Sequence, residues 1–382
     1  MPEPIAETVT VTEPPRKRVS MLKRIWRALT FAKSPKSKLT TEPAASPPPL
    51  PLVKTKSPPM TKETSQSNLT EITFDPKTLW IEPFVDWSLS YLHHSSSSLT
   101  TLNMLCDDEP TSSEAEIWDS ALNQLELPNL CSFSFTGWGF TTSVRAISPS
   151  AVALFLSRHP TIRSLKLCHI PVPSQLEGSA LPDFGSVISR STPFMPNLTT
   201  LTAHPTTIRW LLREMSDHRS SLREITLCTD HPFSFRFEAL DECLEDLVNY
   251  NLNEARDTKI GFDFSVNGGL YEWFGKHLSL AAAQHGIGSV LQQFTQVRRL
   301  KLSCSYRVDL LQAPHIEGFL RWLALFPSIT ELELKDHPSC WPRNDEEVKA
   351  AARIFCAGLK RVEINHWKVI VIEPASDIVA LG

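Results

Sequence analysis

A short apolar pattern, I-x-x-L-x-L, recurs along the chain, and its last two apolar positions are separated by a single polar residue. It reads Leu99/Leu102/Met104, Leu130/Phe133/Phe135, Ile162/Leu165/Leu167, Leu198/Leu201/Ala203, Leu222/Ile225/Leu227, Val297/Leu300/Leu302, Ile329/Leu332/Leu334 and Leu359/Val362/Ile364. First positions step by 24 to 36 residues except for one gap of 75, which holds about two units. TKIGFDFSV (258–266), with Phe262 and Phe264 as the alternating pair, fits midway as a ninth copy. Alternation of this kind is strand periodicity, which puts both apolar residues on one face and the polar residue between them on the other. Between hexads the period becomes helical, in 148–159, 206–218, 315–326 and 344–359. Each unit is therefore expected to be a strand plus a helix. Nine such units predict an α/β solenoid with a parallel sheet on its concave side and helices on its convex side, joined by right-handed crossovers.

Proline marks the boundaries. Pro128, Pro160, Pro196 and Pro327 each stand two residues before the first apolar residue of a hexad. A proline cannot extend the preceding helix and pushes the residue before it toward extended geometry. Ser148 with Pro149, and Asn344 with Asp345, supply N-cap chemistry for two helices. The solenoid is expected to occupy residues 99–366, with a capping element over 71–98 and a C-terminal cap and tail over 367–382. Residues 266–294 repeat least and read as an insertion around a helix, with Gly268, Gly269, Gly286 and Gly288 as loop punctuation.

The segments LSRHPTIRSLKL, LPNLCSFSF and LALFPSITELEL resemble the ribonuclease-inhibitor-like class of leucine-rich repeats, and in particular the irregular version in fungal F-box/leucine-rich-repeat proteins. The resemblance covers roughly residues 95–372. It implies a horseshoe fold and a role like that of the substrate-recognition half of a ubiquitin ligase, with a ligase adaptor among the partners. Those proteins usually open with an F-box, a short adaptor-docking helical unit, and nothing in residues 1–95 matches one. TLWIEPFVDWSLSYLHH (78–94) reads either as a cap on the first repeat or as a degenerate F-box.

Residues 1–70 change the picture, since they carry 12 Lys/Arg, 5 Glu and 12 of the 30 prolines. Such a composition buries too little apolar surface to offset chain entropy and is expected to be disordered. The segment has a charge of +7 in a chain of net charge −4, leaving −11 for the rest. Within 14–38 a helical pattern over residues 19–32 sets Leu22, Ile25, Trp26 and Leu29 against Lys23, Arg24 and Arg27, preceded by Arg16, Lys17 and Arg18. Four readings stand: a solvated basic run, an interfacial helix on an anionic membrane, a calmodulin-like target helix, or a nuclear-import signal. An acidic body argues against nucleic acid as its partner. With no apolar run of membrane-spanning length and no secretion-type start, an intracellular site, cytoplasmic or nuclear, is expected.

Searches for chemistry find no phosphate loop, no dinucleotide loop, no H-E-x-x-H and no G-x-S-x-G, so neither an enzyme nor a cofactor is expected. The eight cysteines lack metal-ligand spacing. Asp241 and Glu245 read as a wet helix face. The expected recognition surface is the concave face: Lys166, Thr202 and His204 in the first half, then Arg299, Lys301, Glu331, Glu333, Arg361 and Glu363. These later charges alternate in sign between neighbouring strands, so they read either as a face for a protein partner or as a cross-strand ladder. Two functions follow as alternatives: a non-enzymatic recognition scaffold, or a leucine-rich-repeat scaffold tethered to a membrane or sent to the nucleus by its basic tail.

Overall fold

The structure is a computed structural model that describes residues 69–74, 85–106, 119–137, 149–168, 193–215, 222–229, 237–249, 259–264, 269–283, 288–304, 309–335, 342 and 344–373. Eleven strands form one open sheet in chain order: β1 (Glu71–Phe74), β2 (Thr101–Cys106), β3 (Ser132–Gly137), β4 (Ser164–Cys168), β5 (Thr200–Ala203), β6 (Glu224–Cys228), β7 (Lys259–Phe264), β8 (Arg299–Cys304), β9 (Glu331–Lys335), β10 (Arg361–Ile364) and β11 (Lys368–Val371). All neighbours through β10 are parallel, and only β11 is antiparallel, returning along β10. Helices α1 (Val85–Ser95), α2 (Pro149–Arg158), α3 (Pro205–Glu214), α4 (Phe237–Asn249), α5 (Leu270–Ala282), α6 (Ile316–Leu323) and α7 (Asp345–Phe355) lie in the connections after β1, β3, β5, β6, β7, β8 and β9, and a 3-10 turn at Val290–Gln293 follows α5.

Inward residues of every hexad are buried together with the helix faces in one continuous core. Leu99, Leu130, Ile162, Leu198, Leu222, Val297, Ile329 and Leu359 are 0 to 2% exposed. The hexads stack in register, Leu165 on Leu201 and Leu300 on Leu332, so like apolar side chains meet across each strand pair. The middle of the core is aromatic: Trp322 packs against Phe262, Trp273, Phe274, Phe319 and Phe326 with ring centroids 4.4 to 6.2 Å apart.

The prolines occupy the second position of a tight turn. Leu130 N donates to Leu127 O, Ile162 N to His159 O, Leu198 N to Met195 O and Ile329 N to Phe326 O, at 3.0 to 3.3 Å, so Pro128, Pro160, Pro196 and Pro327 sit where a fixed φ favours the turn. The same bond forms without proline at Leu359 N to Cys356 O, so proline favours this turn without being needed for it. After it, one carbonyl of the preceding unit accepts two successive N–H groups: Arg163 N and Ser164 N both donate to Cys131 O, and Lys360 N and Arg361 N to Thr330 O. That bond pair sets the register of each new strand on the last.

Three boundaries differ from the sequence reading. In 71–98 a strand comes first, since β1 pairs with β2 and α1 follows it, so the sheet starts one hexad earlier, at Leu69/Ile72/Phe74. In 259–264 the residues aligned with the hexad pair are Ile260 and Phe262, because Ile260 faces Leu300 and Phe262 faces Leu302. Phe264 is one step further along the same inward face, and a two-residue slip preserves the face, which is why periodicity alone could not detect it. Helix α5 packs on α6 as α3 packs on α4 and α6 on α7, so 270–282 is the helix of its own unit. Gly269 (φ +79) and Gly288 (φ +75) are left-handed, and a Cβ at Gly269 would also lie 2.9 Å from the Phe237 ring.

Candidate interaction surface

Outward residues of β4–β10 bear the side chains that the alternation singled out. Lys166 is exposed on β4 and Thr202 half-buried on β5. Arg299 and Lys301 lie on β8, Glu331 and Glu333 on β9, and Arg361 and Glu363 on β10, with Arg299 beside Glu331 beside Arg361 and Lys301 beside Glu333 beside Glu363. Ion pairing is wider than a nearest-neighbour ladder. Arg299 pairs with Glu331 at 3.0 Å, but Arg361 turns to Glu363 on its own strand at 2.8 Å. Lys259 reaches from β7 across β8 to Glu333 at 2.9 Å, and Lys301 reaches back across β7 to Glu224 at 3.7 Å. His366, in the β10–β11 turn, places its ring beside Glu363 and Glu333. Burial would raise the Glu333 carboxyl, yet the hydrogen bond and charge of Lys259, with Lys301 and His366 behind them, hold it below the ordinary carboxylate range. Lys259, Glu224 and Arg361 were the members that a strand-by-strand reading misassigned or left out, because they act across two strands or within one.

Gly261 makes the crossing feasible. It stands outward on β7 between Thr226 and Lys301, and a Cβ there would lie 2.7 Å from Thr226 Oγ1. Thr226 is itself 6% exposed. Gly261→Ala is expected to cost about 1–3 kcal/mol by overpacking. Urea melts should show most of that loss recovered in Gly261→Ala/Thr226→Ala, and a loss unchanged by the second substitution would place the strain elsewhere.

His204 has another role. It stands one residue beyond β5 and is the N-cap of α3, accepting from Thr206 N at 3.3 Å and contacting Thr206 Oγ1. Burial lowers its pKa to about 4. His159 is likewise internal: Nδ1–H donates to Phe155 O at 2.6 Å and Nε2 accepts from Leu127 N at 2.9 Å, the tautomer following from these partners, and burial lowers its pKa. The basic residues Arg16, Lys17, Arg18, Lys23, Arg24 and Arg27, with Trp26, lie outside the described residues.

Asp241 is not on a wet face. It accepts from Trp273 Nε1 at 2.7 Å, Lys276 Nζ at 2.6 Å and His277 Nε2 at 3.0 Å, while His277 Nδ1 meets Ser289 Oγ at 2.8 Å. Burial alone would raise the Asp241 pKa, but the hydrogen bonds from His277, Lys276 and Trp273 outweigh it and lower it. A serine, a histidine and an aspartate in a line suggest a nucleophilic triad. Here Ser289 and His277 are each 1% exposed, and Ser289 Oγ also accepts from Leu291 N as the cap of the 3-10 turn. The serine oxygen is therefore out of reach of a substrate, and the line clamps α4, α5 and the 3-10 turn together. No local motif announces it, since 241, 277 and 289 are far apart in sequence.

Cys168 and Cys228, at the ends of β4 and β6, bring their buried thiols to 3.0 Å across the place where β5 has already ended. Among the described residues no group of three His, Cys, Asp or Glu could hold a metal ion, and no helix is long and apolar enough to cross a membrane.

The lower rim of the sheet, at the N-terminal ends of the strands, holds an open depression of about 520 Å³ lined by Arg298, Ser328, Thr330, Glu331, Lys360 and Arg361. The far edge ends in β11, where Val369 and Val371 are exposed, as is Trp367 just before the strand, while Ile370 packs inward. No protein-family model matches the chain, and no curated protein matches it either.

Proposed function

We propose that the chain is a leucine-rich-repeat solenoid that acts as a non-enzymatic recognition module, gripping a protein partner on the outward face of its sheet. The observation that supports this best is the organisation of that face. Parallel register aligns polar and charged side chains in rows, and their mutual ion pairs hold them in defined rotamers while leaving them partly open to solvent. Individual pairs this exposed contribute only about 0–1 kcal/mol each to stability, so orientation of a binding surface is the larger consequence. The resemblance to F-box/leucine-rich-repeat proteins makes the adaptor of a cullin ligase the first partner to test.

The test is affinity capture from native extract with the full chain and with Lys166→Glu/Thr202→Lys, which alters the face without touching its ion pairs. The reading requires a partner retained by the unmodified chain and reduced about tenfold or more by the substitutions. Equal capture by both chains would remove the outward face from recognition. Co-purification of the adaptor would assign the module to a ligase, and its absence beside a retained partner would assign it to another scaffold.

A further inference from the structure

The residue just before each strand falls in one transverse row, because the strands are in register. From β4 to β10 the described members of that row are Arg163, Thr199, Arg223, Arg298, Thr330 and Lys360: a cation ahead of β4, β6, β8 and β10, and a threonine ahead of β5 and β9. Thr199 Oγ1 and Thr330 Oγ1 fold back onto Arg163 O and Arg298 O at 3.0 and 3.2 Å, which keeps the intervening positions low. The backbones of Arg163, Arg223 and Lys360 are pinned to the preceding units by N–H bonds of 2.7 to 2.8 Å.

Most of the other cations of the sheet are paired: Lys259, Arg299, Lys301 and Arg361 each have a carboxylate within 4 Å, whereas Lys166 and Lys335 on the outward face have no ion pair with a described residue. Arg163, Arg223, Arg298 and Lys360 are exposed, and none has an ion pair with a described residue. Four unpaired cations thus stand in one row of a body whose net charge is −11, and two of them line the 520 Å³ depression.

We propose that this rim binds an extended acidic polypeptide with a carboxylate at every third residue. The inference deepens the recognition reading above and rests on it. Strands about 4.8 Å apart set alternate cations about 9.6 Å apart, and a chain extended as polyproline II, with three residues per turn and a rise of about 3.1 Å per residue, places residues i and i+3 on one face about 9.3 Å apart. The four cations would then span about ten residues of such a peptide. Duplex DNA, with a charge about every 1.7 Å of axis, is far denser than this row, and Glu224 and Glu331 next to it would oppose a continuous polyphosphate.

Fluorescence polarisation tests it with the full chain at low salt, using a labelled 12-residue peptide with glutamate at positions 1, 4, 7 and 10 and neutral residues between. Arg163→Ser/Arg223→Ser and Arg298→Ser/Lys360→Ser should each weaken binding about tenfold, the combined loss of two exposed charge contacts. Replacing the Lys and Arg of residues 16–27 by serine should change it less than about twofold, and a peptide with its four glutamates contiguous should bind more weakly than the spaced one. Because the four side chains are exposed and unpaired, circular dichroism should show the variants folded. Unchanged binding in the rim variants, loss confined to the tail variant, or no preference for the spaced peptide over the contiguous one would overturn the proposal. Tighter binding of a single-stranded oligonucleotide through the same four residues would also overturn it. The two readings fail separately: loss of partner capture in Lys166→Glu/Thr202→Lys with no peptide binding removes only the rim, whereas peptide binding with capture indifferent to that variant removes only the outward face.

Discussion

Trp322→Ala is expected to destabilise the protein by about 3–5 kcal/mol, the usual range for emptying a large buried aromatic site. Trp322 is 0% exposed, and its ring touches aromatic side chains from β7, α5 and α6 and from the turn after α6, so the vacated space cannot collapse without moving several units. Its indole Nε1–H has no hydrogen-bond partner among the described residues. A buried donor without a partner costs free energy, so Trp322→Phe, which removes the donor and keeps an aromatic ring, should cost much less than the alanine change. Urea unfolding of the three chains decides the point. A phenylalanine variant as unstable as the alanine one would mean that the full indole shape, or a contact to its N–H, holds the core together.

Acid should weaken the fold through His204 before it reaches the carboxylates. The folded-state pKa is about 4 and the unfolded value about 6.5, so above pH 6.5 both states are neutral and no penalty exists. As pH falls from 6.5 to 4 the unfolded chain takes up a proton that the folded chain refuses. Stability then drops by about 1.4 kcal/mol per pH unit, on the order of 3 kcal/mol across the window. His159, also lowered by burial, adds in the same direction, since its Nε2 must stay unprotonated to accept from Leu127 N. Asp241 and Glu333 contribute elsewhere: their folded pKa values are depressed, so their stabilisation is present above the ordinary carboxylate value and is lost only as pH falls below it. Thermal melts at pH 7, 5.5 and 4.5 should show the slope, and His204→Asn, which keeps N-cap chemistry, should flatten it. An identical slope in the asparagine variant would show that the imidazole protonates freely in the folded state.

The sequence by itself determined the strand count to within two, the inward face of the nine strands it counted and the places where helix turns into strand. It could do so because these features repeat: an alternation of apolar and polar residues at eight hexads carries its own register, and the turns recur at a fixed offset before each. It missed β1 because the tail boundary at residue 70 cut through the hexad Leu69/Ile72/Phe74, whose last two members align with Leu102 and Met104. It placed the ninth copy two residues too far along because the two alternatives share a face. Only the tertiary structure decided how the charges pair. The reach of Lys259 over β8 and of Lys301 over β7 depends on side-chain length, on sheet geometry and on an empty position at Gly261, none of which periodicity encodes. It also decided that Asp241, His277 and Ser289 form a buried clamp, because residues 36 and 12 positions apart are brought into contact only when α4, α5 and the 3-10 turn pack. The row of unpaired cations was visible as letters, but its regular spacing follows from the parallel register, which converts equivalent positions in successive units into neighbours in space.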